Sequence, residues 1–403
     1  MSLDLNSTAA QIESMVVDLQ ARQGERVRRV ESAFIALNEF QLDRYLDISN
    51  ESQGGRYRIV PEILEHPSSV YKPDLPPGNF RVVSSDGSHI EVDRHLAVRC
   101  FLINVGVSAL TYGDYPNATL YSVPRLYAAQ EDLVISEIAT GRQQSIEGAV
   151  LGAKRAVAEV SILAEEASGL DSNTPSIYLV DGSLVMMGLV GHGYHDFVLR
   201  ELIEDGFIKS MNHIRDFSEN RSFGLASYIS MPAHSDVVNA LNVTGCVYPI
   251  KDSNLRCDNS SFSTNPCEKC ISGVLDRDIF WKLLKPGERS SVFGVNSPVV
   301  ENHYLGTGIT FFYVNVGTEI GRVEMPSWVS DNRSSLDLVH SLIVDQCERG
   351  RGYPVALMEA HEQAVVGVSD RRNFVQLVEQ VLHKKGSDVY TSEKARSKRL
   401  RWL

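Results

Sequence analysis

One short pattern occurs twice in the chain and limits what the chain can fold into. The segments Val-Val-Ser-Ser-Asp86-Gly-Ser88 and Tyr-Leu-Val-Asp181-Gly-Ser183 each carry an apolar run that reaches Asp-Gly-Ser. We interpret both runs as β-strands that end at the Asp, because the Gly allows the chain to turn away sharply. Asp-Gly-Ser is also a common turn in which the Asp only caps the bend, and this alternative stays open. Two such copies favour carboxylates at two strand ends, where they could hold Mg²⁺ or Mn²⁺.

The remaining patterns predict helices around these strands. Apolar side chains recur at three- and four-residue steps over about residues 7–45, which predicts amphipathic helix. A long helix is expected at about 145–167, and shorter ones at 334–348 and 356–368. Strand-like segments alternate with these helices from Arg81 onward. Strands mixed with helices on this scale are typical of an α/β domain.

Changes in composition predict where the chain divides. Gly and Pro interrupt the helical pattern before Arg81, and an Asn/Ser-rich stretch later in the chain carries four of the six Cys residues. We therefore expect an N-terminal helical segment at 1–50, a Pro/Gly-rich linker at 51–79, a main domain at 80–385 with a Cys-bearing insertion at about 243–273, and a basic tail at 386–403.

Charge and hydropathy exclude several classes of protein. The chain has 39 Lys and Arg against 51 Asp and Glu, a net charge of −12, which argues against a surface coated with basic charge for nonspecific nucleic-acid binding. A local basic groove stays open. The best apolar stretch, Phe101 to Leu110, is too short to span a bilayer, and no signal-peptide pattern begins the sequence. We expect a soluble cytoplasmic protein whose thiols are reduced.

A third carboxylate would be needed for a metal pair that hydrolyses phosphodiesters. The strand that ends at Asp181 covers roughly 17 Å, and the same length along a helix is about 11 residues. Counted back from about residue 167, this reaches the level of Glu159. Glu147 would lie about 30 Å from the helix end, so we prefer Glu159 and keep Glu147 as the fallback. A solvated helix Glu with no role is the competing interpretation.

The segment Gly352-Tyr353-Pro354-x₆-His361 suggests one further site residue. A helix that starts near Pro354 would carry His361 two turns in, with Ala at four-residue steps along one side. A lone His on such a helix is usually structural.

Four pieces in this order resemble the NurA family of DNA-repair nucleases. They are Asp86-Gly-Ser88, Asp181-Gly-Ser-Leu184, Gly321-Arg-Val-Glu-Met-Pro-Ser-Trp328 and Gly352-Tyr-Pro-x₆-His361. The resemblance covers residues 81–370. It implies a ribonuclease-H-like mixed sheet flanked by helices, Mn²⁺- or Mg²⁺-dependent cleavage of DNA in end processing and double-strand break repair, a homodimer, and a hexameric ATPase partner of the HerA type.

By position, the resemblance also implies the site residues. Asp86, Asp181 and His361 fall on the metal-site motif, Tyr353 on its companion tyrosine, and the family's acidic helix residue on Glu159 or Glu147. His361 would be a metal ligand or a proton carrier, and Tyr353 would position the phosphate or the adjacent base.

The Cys-bearing stretch departs from what the resemblance implies. Four thiols occur within 25 residues, at Cys246, Cys257, Cys267 and Cys270, and only the last pair has a standard ligand spacing. Four soft ligands suit a structural Zn²⁺ or an iron–sulfur cluster. A surface insertion with unligated thiols is the alternative.

Two other functions would also fit part of this sequence. A non-catalytic adaptor or clamp for a DNA-translocating ATPase could keep the nuclease fold, although the joint presence of Asp86, Asp181 and His361 argues against it. A phosphotransferase of the actin and sugar-kinase kind also places Asp-Gly at strand ends around Mg²⁺. It would need a Gly-rich phosphate loop and an adenosine motif, and the sequence has neither.

Overall fold

A computed structural model describes residues 4–51, 61–91, 98–169, 174–189, 193–218, 221–245, 271 and 273–386. By their internal contacts the residues form two compact units. The first unit comprises Met1–Lys72, Ser230–Asn296 and Phe311–Arg322, and the second comprises Pro73–Ile229, Ser297–Thr310 and Val323–Leu403. The domain boundaries expected from composition stay predictions.

The strands are β1 (Glu62–Ile63), β2 (Val70–Tyr71), β3 (Phe80–Ile90), β4 (Phe101–Tyr112), β5 (Asn117–Tyr127), β6 (Val134–Glu137), β7 (Arg142–Ser145), β8 (Ser176–Asp181), β9 (Phe223–Ile229), β10 (Arg289–Ser290), β11 (Phe293–Gly294), β12 (Ile309–Asn315) and β13 (Ile320–Pro326).

The helices are α1 (Leu5–Asn38), α2 (Leu42–Glu51), α3 (Ala149–Ser168), α4 (Asp196–Leu199), α5 (Lys209–Ser218), α6 (Asp236–Gly245), α7 (Asp276–Leu283), α8 (Pro298–His303), α9 (Ser327–Ser330), α10 (Arg333–Arg349), α11 (Val355–Ala364) and α12 (Val368–Lys384). A π-helical stretch, Arg200–Ile208, joins α4 to α5, and short 3₁₀ turns occur at Gln130–Leu133 and Met187–Leu189.

The second unit is built on a mixed sheet. β3, β4 and β5 form an antiparallel meander, and β8 and β9 continue the sheet on the other side of β3 in parallel, so the order is β5-β4-β3-β8-β9. The strands β3, β4, β8 and β9 are mostly buried, which explains their apolar composition. A three-stranded meander with two parallel strands beside its first strand is the ribonuclease-H-like arrangement, and the α/β expectation is confirmed.

Helices cover both faces of β3. The hydroxyl of Ser84 donates to the carbonyl of Ala356 at 2.6 Å, which ties α11 to one face. The hydroxyl of the next residue, Ser85, donates to the carbonyl of Glu159 at 3.0 Å, which ties α3 to the opposite face. Because successive strand side chains alternate between faces, residues 84, 86 and 88 lie on the α11 side and residues 85 and 87 on the α3 side.

The first unit has its own core. β1 pairs with β11, and β10 pairs with both β2 and β12, all antiparallel. Its buried cluster includes Leu37 of α1, Leu241 of α6, Phe280 of α7 and Tyr313 of β12. A buried carboxylate, Asp276, accepts hydrogen bonds from the first backbone N–H groups of α6 and from the Tyr313 hydroxyl.

Helix α1 is long and unevenly buried. It spans 34 residues, and its C-terminal part buries Ala33 and Leu37, whereas Ile12, Met15 and Leu19 in its N-terminal part are each at least half exposed. Across the described segments, neither α1 nor any other helix combines the length and apolarity needed to cross a membrane.

Candidate metal centre

The two repeated aspartates lie side by side on neighbouring parallel strands. Ser85 of β3 is in register with Val180 of β8, so Asp86 and Asp181 are the next residues on adjacent strands. Asp181 is the last residue of β8, and Gly182 after it has φ +87°, a conformation that glycine adopts readily.

The expected strand end at Asp86 is wrong. β3 continues to Ile90, and Asp86 is paired with Gly106 of β4. The antiparallel partner β4 extends beyond the parallel partner β8 and keeps supplying hydrogen bonds, so Asp86-Gly-Ser88 stays extended and is not a turn.

A third carboxylate reaches β3 from the opposite face. The Glu159 side chain is 4% exposed, and a Cβ built on Gly87 would lie only 2.3 Å from its Oε1 atom. Any side chain at position 87 would therefore occupy the space of the Glu159 carboxylate. The Gly of the first Asp-Gly-Ser copy is needed for this close approach rather than for a turn.

Burial makes Glu159 a poor acid. Desolvation raises its pKa to about 8; Arg155 opposes the shift, whereas the carboxylates of Asp86 and Asp181 add to it. The Arg155 Nε atom lies 3.1 Å from Oε1, but the two atoms are not aligned for a hydrogen bond. The negative charges of both aspartates therefore make it harder for Glu159 to ionise.

Asp86 is paired with the histidine of α11. The Nδ1 atom of His361 lies 2.6 Å from Oδ2 of Asp86, and the His361 side chain is 60% exposed. The other oxygen of Asp86 accepts a hydrogen bond from the backbone N–H of Gly87 at 2.7 Å. His361 can therefore hold Asp86 while its ring still reaches solvent.

Close packing of α11 on the sheet sets the position of His361. A Cβ on Gly106 of β4 would come within 2.2 Å of the carbonyl oxygen of Ala360, so only glycine allows this approach. Ser88 and Asn104 donate hydrogen bonds to the carbonyl of Ala364 at the end of the helix. The Ala residues at four-residue steps are buried, as the pattern predicts.

Asp181 is held by Tyr353. The Tyr353 hydroxyl donates to Oδ1 of Asp181 at 2.8 Å, and its ring packs edge-on against Tyr228 with centroids 5.5 Å apart. Desolvation raises the pKa of Asp181, the Tyr353 hydrogen bond opposes this shift, and the neighbouring Asp86 carboxylate adds to it.

Glu147 lies elsewhere. Helix α3 begins at Ala149, after Gly148 with φ +55°, so Glu147 precedes the helix that was expected to carry it. Its side chain is 58% exposed and pairs with Arg99 at 3.1 Å. Of the two Glu residues weighed from sequence, the fold brings Glu159 to the aspartates and does not bring Glu147.

Sequence reasoning gave no role to several residues around the site. Arg155 is one, although its position four residues before Glu159 on a helix was a usable signal for an ion pair. Glu324 is another, since it sits in the Gly321–Trp328 motif but carried no assigned chemistry. Nothing local in the sequence indicates Tyr304 or the close approach at Gly106.

The side chains at this site carry the kind of oxygen atom that binds a hard divalent cation. Asp86, Glu159 and Asp181 offer carboxylate oxygens, which such ions prefer. The buried Oε1 of Glu159 faces the Arg155 guanidinium at 3.1 Å without an aligned hydrogen bond. In the described part of the chain, no three His, Cys, Asp or Glu side chains stand close enough together to hold a metal ion. The fit to the ion that the resemblance implies therefore rests on the types of ligand atom and on the adjacent positions of Asp86 and Asp181.

The four-Cys stretch is the remaining candidate metal site in the sequence. Cys246, Cys257, Cys267 and Cys270 lie outside the described residues, as do nearly all of the predicted insertion and basic tail. Ligation of Zn²⁺ or an iron–sulfur cluster there is not supported by any other observation.

One family model matches most of the chain. The NurA domain model matches residues 80–366, which is well over half of the chain. No curated protein sequence matches the chain.

Three solved structures of NurA proteins are similar to this chain at low sequence identity. The NurA nuclease from Sulfolobus solfataricus is 13% identical, with 96% of this chain and 98% of that chain covered and a TM-score of 0.47. A structure of NurA bound to dAMP and manganese is 11% identical, with 92% and 96% covered and a TM-score of 0.35. A structure of NurA with manganese is 11% identical, with 91% and 96% covered and a TM-score of 0.34.

Proposed function

The chain belongs to the NurA family of nucleases, and from this membership we propose that it is a Mn²⁺- or Mg²⁺-dependent deoxyribonuclease that hydrolyses DNA phosphodiester bonds. The observation that carries the proposal is that Asp86 and Asp181 are neighbours on paired strands and that the buried Glu159 carboxylate lies against Gly87, the residue next to Asp86. Desolvation raises the pKa of Glu159 and of Asp181, neighbouring carboxylates add to both shifts, and a divalent ion would relieve that repulsion.

The ligands of the ion would be Asp86, Glu159 and Asp181, with His361 as a fourth candidate. The chemistry that a divalent cation supplies in such a site is water activation at neutral pH and neutralisation of charge on the scissile phosphate. The sheet contributes rigidity, because both aspartates project from paired strands rather than from free loops.

His361 and Tyr353 act on the two aspartates. His361 holds Asp86 through Nδ1, which leaves Nε2 as the nitrogen that can exchange a proton with water or a leaving group, or bind the ion. Tyr353 donates to Asp181 and keeps that carboxylate in its ionised, ligating form, since a hydrogen bond to the charged form lowers its pKa. Its half-buried ring could also contact phosphate or a base.

A cleavage assay tests the proposal. The purified chain is incubated with end-labelled single- and double-stranded DNA and Mn²⁺ or Mg²⁺, with EDTA as a blank. Asp86→Ala and Asp181→Ala are each expected to slow cleavage roughly a thousandfold or more, because loss of a metal carboxylate removes several kcal/mol of transition-state stabilisation.

The matched control is Asp114→Ala, an exposed aspartate in the turn after β4 that bonds only to nearby Asn79 in the described contacts. It should cleave like wild type. Cleavage by Asp86→Ala at the wild-type rate, in a preparation free of contaminating nuclease, would show that the assignment is wrong. A wild-type chain that binds DNA or an ATPase but never cleaves would favour the adaptor alternative.

The proposal extends to the process in which the chain acts and to its protein partners. We propose action in DNA end processing and repair, as a homodimer together with a hexameric ATPase of the HerA type, because the family resemblance implies all three. The half-exposed apolar residues of α1 are consistent with a protein partner at that helix. Light scattering of the purified chain, and cleavage of DNA ends with and without the ATPase and ATP, test this setting.

A further inference from the structure

A further buried carboxylate, besides Glu159 and Asp276, supports the loop that follows Asp181. Glu324 sits in the middle of β13 and is 1% exposed. It belongs to the Gly-Arg-Val-Glu-Met-Pro-Ser-Trp segment that ends at Trp328 and that the mechanism above does not use. Buried carboxylates are rare unless they are hydrogen-bonded, so its partners indicate its purpose.

Two partners of Glu324 are the residues directly after Asp181-Gly182. One carboxylate oxygen, Oε2, accepts hydrogen bonds from the Ser183 hydroxyl at 2.7 Å and from the Leu184 backbone N–H at 2.9 Å. The Ser183 oxygen in turn accepts from the backbone N–H of Val185 at 3.0 Å. Hydrogen bonds to a charged acceptor are the stronger kind.

A buried tyrosine holds the same segment from its other side. The Tyr304 hydroxyl donates to the carbonyl of Leu184 at 2.8 Å and accepts from the backbone N–H of Met186 at 2.9 Å, and Tyr304 is fully buried. The backbone of Leu184 is thus tied at its N–H by Glu324 and at its carbonyl by Tyr304. Both backbone groups of Leu184 are therefore hydrogen-bonded to buried side chains, although the residue lies beyond the end of β8.

We propose that Glu324 is a positioning residue for the metal centre: through Ser183 and Leu184 it fixes the chain after Asp181 and so keeps the Asp181 carboxylate beside Asp86. The inference rests on the proposed function, because it gives Glu324 a purpose only if Asp181 binds a cation. Gly182 is the reason that such support is needed. Its φ of +87° marks a sharp turn immediately after the ligand, and glycine restrains its own backbone less than any other residue.

The competing interpretation is a carboxylate that stabilises the fold and nothing more. The two differ in what happens locally when Glu324 is changed. A purely structural group lowers overall stability and leaves the folded site unaltered. A positioning group loosens residues 183–186 and weakens cation binding in molecules that are still folded.

The test compares Glu324→Gln with Glu166→Gln. Glu166 is a matched control, since its carboxylate also accepts two hydrogen bonds, from Tyr121 at 2.7 Å and Arg81 at 3.1 Å, but it lies two helical turns beyond Glu159. Three quantities are measured in the full chain: Mn²⁺ affinity by calorimetry, hydrogen exchange of the Leu184 and Met186 amides, and the dependence of DNA cleavage on Mn²⁺ concentration.

For Glu324→Gln we expect Mn²⁺ affinity to fall about tenfold or more, exchange at Leu184 and Met186 to speed up, and cleavage to recover largely at saturating Mn²⁺. Glu166→Gln should leave all three unchanged. If Glu324→Gln fails to fold, Ser183→Ala and Tyr304→Phe remove single links in the same support and should shift exchange and affinity in the same direction.

The outcomes are distinguishable from failure of the proposed function. Wild-type affinity and exchange in Glu324→Gln, or in both substitute variants, would overturn the positioning role even if the wild-type chain cleaves DNA. A wild-type chain that neither binds Mn²⁺ nor cleaves DNA would instead overturn the proposed function, and with it the role of Glu324 toward a cation.

Discussion

The carboxylate of Glu159 occupies the space in which a side chain at Gly87 would begin. A Cβ on Gly87 would lie 2.3 Å from Oε1 of Glu159 and 2.9 Å from Cγ of Arg155. The absence of a side chain on one strand residue thus lets a carboxylate from a helix approach the strand that carries Asp86. Because Asp86 and Gly87 are adjacent, the pair Asp-Gly has a use here that does not involve a turn.

Gly87→Ala should displace Glu159 and abolish most activity. The added methyl cannot coexist with Oε1 at its present position, and misplacement of a catalytic group by about 1 Å costs on the order of a hundredfold in rate. The measurement is single-turnover DNA cleavage with Mn²⁺. Gly152→Ala is the control: it lies in α3 with open space around it, and should keep activity and gain about 0.5–1 kcal/mol of stability. Equal activity in both variants would contradict the close approach.

Glu159→Gln and Glu147→Gln should behave very differently. The first removes a carboxylate from the centre, and we expect cleavage to fall roughly a thousandfold. Below the raised Glu159 pKa of about 8 it should change the stability of the metal-free protein little, because the carboxyl is then mostly protonated and Gln is a neutral group of similar shape. The second breaks only the exposed pair with Arg99, which is worth about 0–1 kcal/mol. Thermal unfolding and cleavage are measured together, and a reversed ranking of the two rates would make Glu147 the ligand.

Ile12→Ser combined with Leu19→Ser should weaken association with a partner and spare DNA cleavage. Both side chains are exposed apolar residues of α1, at 50% and 59%, in the half of the helix that buries nothing. Removal of residues 1–45 is a poorer test, because it also deletes the buried Ala33 and Leu37.

Sedimentation and ATPase co-purification measure the effect, and Gln20→Ser on the same exposed stretch is the control. Unchanged association in the double variant would remove the evidence for a partner at this helix.

Asp276 predicts a pH dependence of stability. Burial, with a further contribution from Asp236, raises its pKa to about 6 from the ordinary 3.8. A carboxyl whose folded pKa is raised stabilises the fold below the unfolded pKa, and this contribution is lost as pH rises from about 4 to 6. The loss is about 3 kcal/mol at 1.36 kcal/mol per pKa unit. Asp276→Asn has no ionisable group at this position, so its stability does not show this fall with pH.

Urea unfolding at several pH values without metal measures the difference between wild type and Asp276→Asn. Relative to wild type, the free energy of unfolding of Asp276→Asn should rise between pH 4 and 6. Above pH 6 the difference between the two should stay constant, whatever the absolute stability of the variant. A constant difference over this range would contradict the raised pKa.

Much of the fold follows from local sequence. Apolar strands at β3 and β8, the amphipathic α1 and the Ala-lined α11 were all predicted from periodicity alone, since side-chain alternation and helical spacing involve near neighbours. The motifs that contain Asp86, Asp181, Tyr353 and His361 were also visible as sequence. The two aspartates were paired as a metal site from the repeated strand pattern, whereas Tyr353 and His361 joined them only because the order of the motifs resembles a family.

Tertiary structure decided the rest. Whether Asp86 ends its strand depends on β4, which continues to pair beyond the end of β8, and no pattern around Asp86 encodes the length of that partner. Likewise, the start of α3 after Gly148 and its register on β3 bring Glu159, and not Glu147, to the aspartates. Ser85 and Glu159 are 74 residues apart, and such contacts form when hydrogen-bond register and close packing are satisfied together across the whole sheet, which a linear sequence shows only in part.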